Sequence, residues 1–179
     1  SSPNESRNSF YPFVIEFLEL LDICVDRDVL VADNQTEYEE IFISSSYTNG
    51  LNPNIPPRKE IYDFYQEIVN IVNLKHPDLK NNTKKIYVSR RSWLHNDFSN
   101  IGTNYTDRRK LNNEDQLVDG LLKLGYSEIF TEKLSTIEKI KLFSEAESVI
   151  GAIGGGMCNV LFSKNTTKVV PIVSPTFLD

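Results

Sequence analysis

The sequence predicts an α/β fold of the Rossmann-like type, in which helices cover both faces of a mostly parallel sheet to give three layers. Short apolar runs typical of strands alternate along the chain with segments of helical periodicity. Strands joined by single helices form right-handed crossovers and therefore lie parallel in one sheet. The chain has 179 residues, 40 % of them hydrophobic, which is enough for one globular domain. We expect that domain to span residues 10–176, after a flexible polar tail at 1–9.

The first third of the chain predicts two helices and two short strands. Apolar residues recur at helical spacing over 10–21, and again over 58–74 after a pair of prolines. The second of these helices is the clearest in the sequence, with apolar residues at Ile61, Phe64, Tyr65, Ile68, Val69 and Val72. The apolar runs at 29–32 and 41–44 predict strands, and the stretch at 45–57, rich in Ser, Asn, Gly and Pro, predicts a loop.

The rest of the chain repeats a strand–helix pattern. Strands are predicted at 85–89, 128–130, 148–152 and 168–172, with helices at 113–124 and 136–145 and from the glycines at 154–156 to about Phe162. Gly125 suits the left-handed position that ends a helix, and Ser135 with Glu138 forms an S-x-x-E capping box. Pro171 favours an edge position for the last strand.

Arginines and glycines follow two of the predicted strands. The strand at 85–89 ends in Ser89-Arg90-Arg91, and the strand at 148–152 is followed by Ile153-Gly154-Gly155-Gly156. Ligands of open parallel sheets bind beyond the carboxyl ends of the strands. We therefore expect the two segments to meet at one rim of the sheet.

The glycine run has a physical use at such a rim. Residues without a Cβ let the backbone turn tightly and let a ligand approach the main chain, and a following helix presents free N–H groups and the positive end of its dipole. The run is not a dinucleotide fingerprint, because Ile153 occupies the second glycine position, and no Gly-Lys-Ser/Thr follows to make a Walker loop. A close-packed strand-to-helix turn is the alternative interpretation.

Positive charge is concentrated between residues 84 and 110. This window has seven basic and two acidic side chains, a net charge of +5, whereas the whole chain carries −6. A guanidinium offers a planar fork to two phosphate oxygens and keeps its charge. A basic island in an acidic protein therefore favours a small anion such as a diphosphate as the partner. A solvated basic loop is the alternative.

Several other functions find little support. The negative net charge argues against a general nucleic-acid binder, and no apolar run approaches the ~18–20 residues of a membrane span. Cys24 and Cys158 make no disulfide framework or metal cluster, and we expect both to be buried thiols. His76 and His95 are the only histidines and no G-x-S-x-G elbow is present, so a hydrolase is not indicated. Asp26-Arg27-Asp28 precedes its apolar run, whereas a metal-binding Asp-x-Asp would follow one.

Four ordered motifs resemble the conserved set of family-61 glycosyltransferases. This group includes plant β-1,2-xylosyltransferases and the enzymes that add O-linked N-acetylglucosamine to extracellular protein domains. The family pattern has a strand ending in Ser-Arg-Arg, an Arg shortly before Asn-Glu, a Leu-Ser with a Glu before a Phe-containing helix, and Gly-Ala-His-Gly-Ala-Gly-Leu with a nearby Asn-x-x-Phe. The matching residues are Ser89-Arg90-Arg91, Arg109 before Asn113-Glu114, Leu134-Ser135 with Glu138 and Phe143, and the segment 151–157 with Asn159 and Phe162.

The resemblance implies the nucleotide-sugar-binding half of a GT-B fold. It implies inverting transfer from a nucleoside diphosphate sugar, UDP-N-acetylglucosamine or UDP-xylose, to a protein or glycan, with no metal or other cofactor. The donor-binding residues that it implies are Arg90, Arg91, Arg109, Asn113, Glu114, Gly154, Gly155, Gly156 and Asn159. Asn113 and Glu114 equally suit a helix N-terminus, where Asn caps and Glu favours the dipole. The resemblance does not indicate which residue is catalytic.

Two departures from the family pattern favour a second interpretation. Ile153 stands where the family has His, which removes a polar group able to hydrogen-bond the donor. A GT-B enzyme also needs two Rossmann-like halves, and transfer would require an N-terminal domain on a longer parent chain. The alternative is a non-catalytic binding or interaction module on a degenerate glycosyltransferase fold. The sugar, the acceptor and the location, whether a Golgi-like lumen or the cytoplasm of a cell or of a virus-infected host, stay open.

Overall fold

The computed structural model describes residues 10–29, 37, 39–42, 58–91 and 111–173. The chain divides into two compact units, Ser1–Leu74 and Lys75–Asp179. The expectation of one domain over 10–176 stays a prediction. None of the helices in the described ranges has the length and apolar character that a membrane crossing requires.

The described part of the first unit contains three helices. Its helices are α1, Pro12–Leu20, α2, Val25–Asp28, and α3, Lys59–Lys75, which ends one residue beyond the unit. Pro12 begins α1 because the first helical position has no use for a backbone N–H. Ile68, Val69 and Val72 are the buried residues of α3 and share one face at helical spacing. Both helices predicted in this region, at 10–21 and 58–74, are confirmed to within two residues.

The described part of the second unit is built on a four-stranded parallel sheet. Its elements are β1, Lys85–Val88; α4, Glu114–Lys123; β2, Ser127–Ile129; a 3₁₀ turn, Thr131–Lys133; α5, Thr136–Glu145; β3, Ser148–Ala152; α6, Gly155–Cys158; a second 3₁₀ turn, Asn159–Phe162; and β4, Lys168–Ile172. The strand order is β2-β1-β3-β4, and each neighbouring pair is parallel. The predicted α/β fold, Rossmann-like with three layers, is confirmed.

The two faces of the sheet are buried by different elements. On one face, Tyr87 of β1 clusters with Val118 and Leu121 of α4. Because successive residues of a strand point to opposite sides, Val88 lies on the other face. There it is close to α6, since a Cβ added to Gly151 would lie 2.7 Å from Met157 Sδ and 2.9 Å from Val88 Cβ.

Local signals in the sequence end the elements where expected. Gly125 has a φ of 79°, and the amides of Gly125 and Tyr126 donate to the carbonyls of Leu122 and Leu121, which is the Schellman arrangement that closes α4. Pro171 lies in β4, an edge strand of the described sheet, where its missing N–H costs least.

Two predictions for the described residues are wrong in detail: the length of one helix and the burial of the two cysteines. The helix expected from the glycines to Phe162 is a single α turn followed by a 3₁₀ turn, since Gly155 and Gly156 have low helix propensity. Cys24 and Cys158 are both exposed rather than buried, because each lies at an end of a short helix near the surface.

Other predictions lie wholly or partly outside the described residues. Ile41 and Phe42, from the strand predicted at 41–44, are exposed and have no strand assignment. The rest of that strand, the strand predicted at 29–32 beyond Val29, and the whole of the segments 45–57 and 92–110 are not described.

The capping box of α5 supplies a test of local stability. The Glu138 amide donates to Ser135 Oγ at 3.2 Å, and the Ser135 amide donates to Glu138 Oε2 at 2.8 Å. Ser135→Ala removes the acceptor for the Glu138 amide and should lower the free energy of unfolding by about 1 kcal/mol in urea denaturation. Glu138→Gln keeps an acceptor for the Ser135 amide and should cost less than Glu138→Ala. Equal losses in the two Glu138 variants would contradict this role.

Candidate functional site

The carboxyl ends of β1 and β3 lie side by side where the order of strands reverses. From β1 the chain continues to β2 on one side, and then crosses to β3 on the other side of β1. Val88, the last residue of β1, pairs with Gly151 of β3. Open parallel sheets bind ligands in the crevice outside the strand ends at such a switch point. We call this place, with residues 89–91 and 153–156, the β1–β3 rim.

Arg90 connects the two segments of the rim directly. Its Nη2 donates to the carbonyl oxygen of Ile153 at 2.8 Å, and the side chain is partly exposed. This hydrogen bond orients the guanidinium toward the glycine segment. The structure thus brings the Ser-Arg-Arg and glycine segments together, as the sequence predicts.

Glu114, the first residue of α4, accepts hydrogen bonds from residues of the β1–β3 rim. It is 4 % exposed, and its Oε1 accepts hydrogen bonds from Tyr87 Oη at 2.8 Å, Ser89 Oγ at 3.2 Å and the Arg90 amide at 3.0 Å. The position at the N-terminus of α4 also places the carboxylate at the positive end of the helix dipole. Burial, and then the hydrogen bond to Glu114, raise the pKa of Tyr87, so the phenol stays protonated and is the donor.

Arg91 is held by two carboxylates. Its Nε and Nη2 form a fork with the two oxygens of Glu128 at 2.8 and 2.5 Å, and its Nη1 donates to Asp115 Oδ1 at 2.9 Å. These hydrogen bonds raise the pKa of Arg91, and the Arg91 partner lowers the pKa of Glu128. Arg91 therefore ties the end of β1 to β2 and α4 through an ion pair with a carboxylate on each.

Packing and backbone conformation explain two of the three glycines. Gly154 has φ 155° and ψ −173°, a region open in practice only to glycine. A Cβ on Gly156 would lie 2.9 Å from both Thr131 Oγ1 and Val88 Cγ1. The close-packed turn that the sequence left as an alternative is therefore present at these two positions.

Neither packing nor backbone conformation requires a glycine at position 155. A Cβ built on it meets no atom within 4 Å, and it begins the short helix α6. An alanine could therefore be accommodated there without steric cost. The missing side chain instead leaves the main chain open to a ligand on that side.

The other predicted site residues lie around the rim or outside the described residues. Asn113 is the residue before α4 and is exposed, with no side-chain capping bond, so the capping interpretation is wrong in that respect. Asn159 donates from Nδ2 to the Gly156 carbonyl at 2.9 Å, which braces the glycine turn. Arg109 lies outside the described residues.

The acidic and phenolic partners of the rim residues were not predicted from the sequence. Glu128 and Asp115 neutralise Arg91, and Tyr87 binds Glu114. Of these residues, only Tyr87 could have been expected from the sequence to have a hydrogen-bond partner, because a phenol within a buried strand needs one. In the part of the chain that the structure describes, no group of three or more His, Cys, Asp or Glu side chains is placed to hold a metal ion.

An arginine beside a glycine turn at the switch point of a parallel sheet suits an anionic ligand in a Rossmann-like protein. The sequence model of the family described as Glycosyltransferase 61 matches residues 10–170. The chain therefore belongs to glycosyltransferase family 61, which implies binding of a nucleotide-sugar donor and an acceptor. No curated protein and no solved structure matches the chain.

The contrast between neighbouring glycines can be measured as stability. Gly156→Ala places a Cβ against Val88 and Thr131, and should lower the free energy of unfolding by about 1–3 kcal/mol, as overpacking does. Gly155→Ala meets open space and should be neutral or stabilising by up to ~1 kcal/mol. Urea denaturation of both variants checks the difference, and a Gly155→Ala loss as large as that of Gly156→Ala would refute it.

The Arg91–Glu128 pair predicts a pH dependence of stability. Because the folded-state pKa of Glu128 lies below its ordinary value, the pair contributes fully above about pH 4.3 and its contribution is lost as the pH falls through the lower folded-state pKa. Glu128→Gln should therefore lower the free energy of unfolding by about 1–2 kcal/mol at neutral pH. In strong acid, the wild type and the variant should have the same free energy of unfolding. Asp115→Asn is the matched control, since the Asp115 side chain is 82 % exposed and should contribute less than ~0.5 kcal/mol. A Glu128→Gln deficit that persists unchanged in acid would contradict the ion-pair account.

Proposed function

We propose that this chain is the donor-binding half of an inverting glycosyltransferase, and that it holds the diphosphate of a nucleoside diphosphate sugar at the β1–β3 rim. The observation that carries the proposal is the Arg90 guanidinium, oriented by the Ile153 carbonyl next to the glycine turn at the switch point. Membership of family 61 supports a nucleotide-sugar as the anion.

Charged and neutral groups would share the binding of the diphosphate. Arg90 supplies a planar fork, and each charge-assisted hydrogen bond contributes ~1.5–3 kcal/mol net. Gly155 and Gly156 are the first residues of α6, so their N–H groups lack acceptors within the helix. Because α6 has a single turn, these main-chain donors contribute more than a helix dipole does. Together they would support roughly micromolar to millimolar affinity after the costs of association.

In this proposal Arg91 stabilises the site and does not bind the donor itself. Its fork is engaged by Glu128, and it keeps the end of β1 in place instead of ligating phosphate. Arg109, which the resemblance assigns to the phosphates, would approach from the segment between β1 and α4. Asn113 and Asn159 would line the edges of the same site.

The finer parts of the proposal come from the family resemblance. The donor would be UDP-N-acetylglucosamine or UDP-xylose, and the acceptor a protein or a glycan. Arginines that neutralise the diphosphate would make a metal ion unnecessary. Transfer would also need the N-terminal half of a GT-B fold, on a longer parent chain.

One observation favours a second candidate function, a non-catalytic binding module on the same fold. Ile153 is 39 % exposed at the rim, where an apolar side chain stands in place of the family's His. Such a module would keep anion binding at the rim and lack transfer.

Calorimetric titration with UDP, UDP-N-acetylglucosamine and UDP-xylose, without metal, tests donor binding. Wild type should bind saturably and more weakly at high salt. Arg90→Ala should weaken binding about 10- to 100-fold, the loss expected for charge-assisted hydrogen bonds. Gly155→Ala should also weaken it, because the new Cβ occupies the ligand's approach to the main chain.

Lys123→Ala is the matched control, since Lys123 is an exposed basic residue in the last turn of α4, in the same unit as the rim but at the other end of that helix from Glu114. This variant should bind as wild type does. Absence of UDP binding at millimolar concentration, or equal binding by wild type and Arg90→Ala, would overturn the assignment. Transfer activity of the parent chain separates the enzyme from the non-catalytic module.

A further inference from the structure

Glu114 makes its described contacts with the protein itself. All three of its described hydrogen bonds come from β1 and the two residues that follow it, and all three reach the same oxygen, Oε1. Burying a carboxylate is costly unless donors surround it. Three donors therefore offset the cost of desolvating the Glu114 carboxylate, at the point where β1 ends and the rim begins.

The backbone amides of both arginines depend on this carboxylate. The Arg90 amide donates to Glu114 Oε1 directly. The Arg91 amide donates to Ser89 Oγ at 3.1 Å, and the Ser89 hydroxyl in turn donates to Glu114. One buried side chain thus sets the path of the main chain through the Ser-Arg-Arg segment.

Arg90 is consequently held at both ends. Glu114 binds its main chain, and the Ile153 carbonyl binds its guanidinium. A side chain ordered before the ligand arrives loses less conformational entropy on binding, so the same contacts give higher affinity.

A direct contact between Glu114 and the donor fits this arrangement poorly. The phosphates are anionic, and a carboxylate touching them would repel them. Glu114 is 4 % exposed, and its Oε1 accepts a hydrogen bond from Tyr87, which is itself buried.

We propose that Glu114 is a positioning residue, which acts on the donor diphosphate through Arg90 by holding the main chain of the Ser89–Arg90 turn, and which does not itself ligate the donor. This role rests on the proposed function, because it presupposes that the rim binds a diphosphate.

A double-mutant cycle with two probes, inorganic pyrophosphate and UDP, tests the role. Glu114→Ala should weaken both ligands by the same factor, about tenfold or more, the equivalent of ~1.4 kcal/mol or more. In the Arg90→Ala background the same change should have little further effect, since Glu114 acts through Arg90. Glu114→Gln keeps an acceptor oxygen and should recover most of the affinity lost in Glu114→Ala.

Tyr87→Phe is a milder variant that serves if Glu114→Ala does not fold. It removes one of the three donors and leaves the Arg90 amide bonded, so it should weaken both probes less than Glu114→Ala. The proton shift of the Arg90 amide provides a ligand-free readout. It should move upfield in Glu114→Gln, because a neutral oxygen replaces a carboxylate as the acceptor.

The outcomes separate this role from the proposed function. Failure of wild type to bind either probe overturns the proposed function and this role with it. Binding by wild type, with Glu114 and Arg90 losses that add independently, overturns the positioning role alone. A loss for UDP with none for pyrophosphate also overturns it, because Glu114 would then contact the nucleoside.

Discussion

The parallel pairing of β1 with β3 is the constraint on which the site depends. It sets Val88 against Gly151, so the segments that leave the two strands start side by side although about sixty residues separate them in sequence. Gly151 and Gly156 permit this approach, since a Cβ on either would press against Val88. Arg90 then reaches the Ile153 carbonyl across the gap. Without that register, the arginine and the glycine turn would not share a rim.

The two adjacent arginines of the rim have different described side-chain partners. Arg91 is neutralised by Glu128 and Asp115 and belongs to the framework of the sheet. The guanidinium of Arg90 donates to the Ile153 carbonyl, next to the glycine turn. The two arginines of the family motif therefore have different roles: Arg91 is structural, and Arg90 is the candidate for binding an anion. The distinction follows from acidic partners on β2 and α4, and not from the motif itself.

Periodicity and end signals predicted most of the described fold. The strands at 148–152 and 168–172 have the predicted bounds, and Gly125 and Ser135 mark helix ends because their backbone chemistry is local. The partners of the arginines were not predictable in this way. Glu128 comes 37 residues after Arg91, and nothing in its neighbours shows which base it will meet. The short length of α6 was not predicted, because glycine is informative about turns and weakly informative about helix length.

The central claim is that a diphosphate binds at the β1–β3 rim, and mapping amide shifts in a ¹⁵N-labelled sample titrated with UDP tests it most directly. The account predicts saturable shifts at Arg90, Ile153 and Gly155, reproduced by inorganic pyrophosphate. Gly125, beyond the far end of α4 and about 15 Å along that helix from Glu114, should not move. Shifts confined to other surfaces, or no shifts at millimolar UDP, would contradict the account.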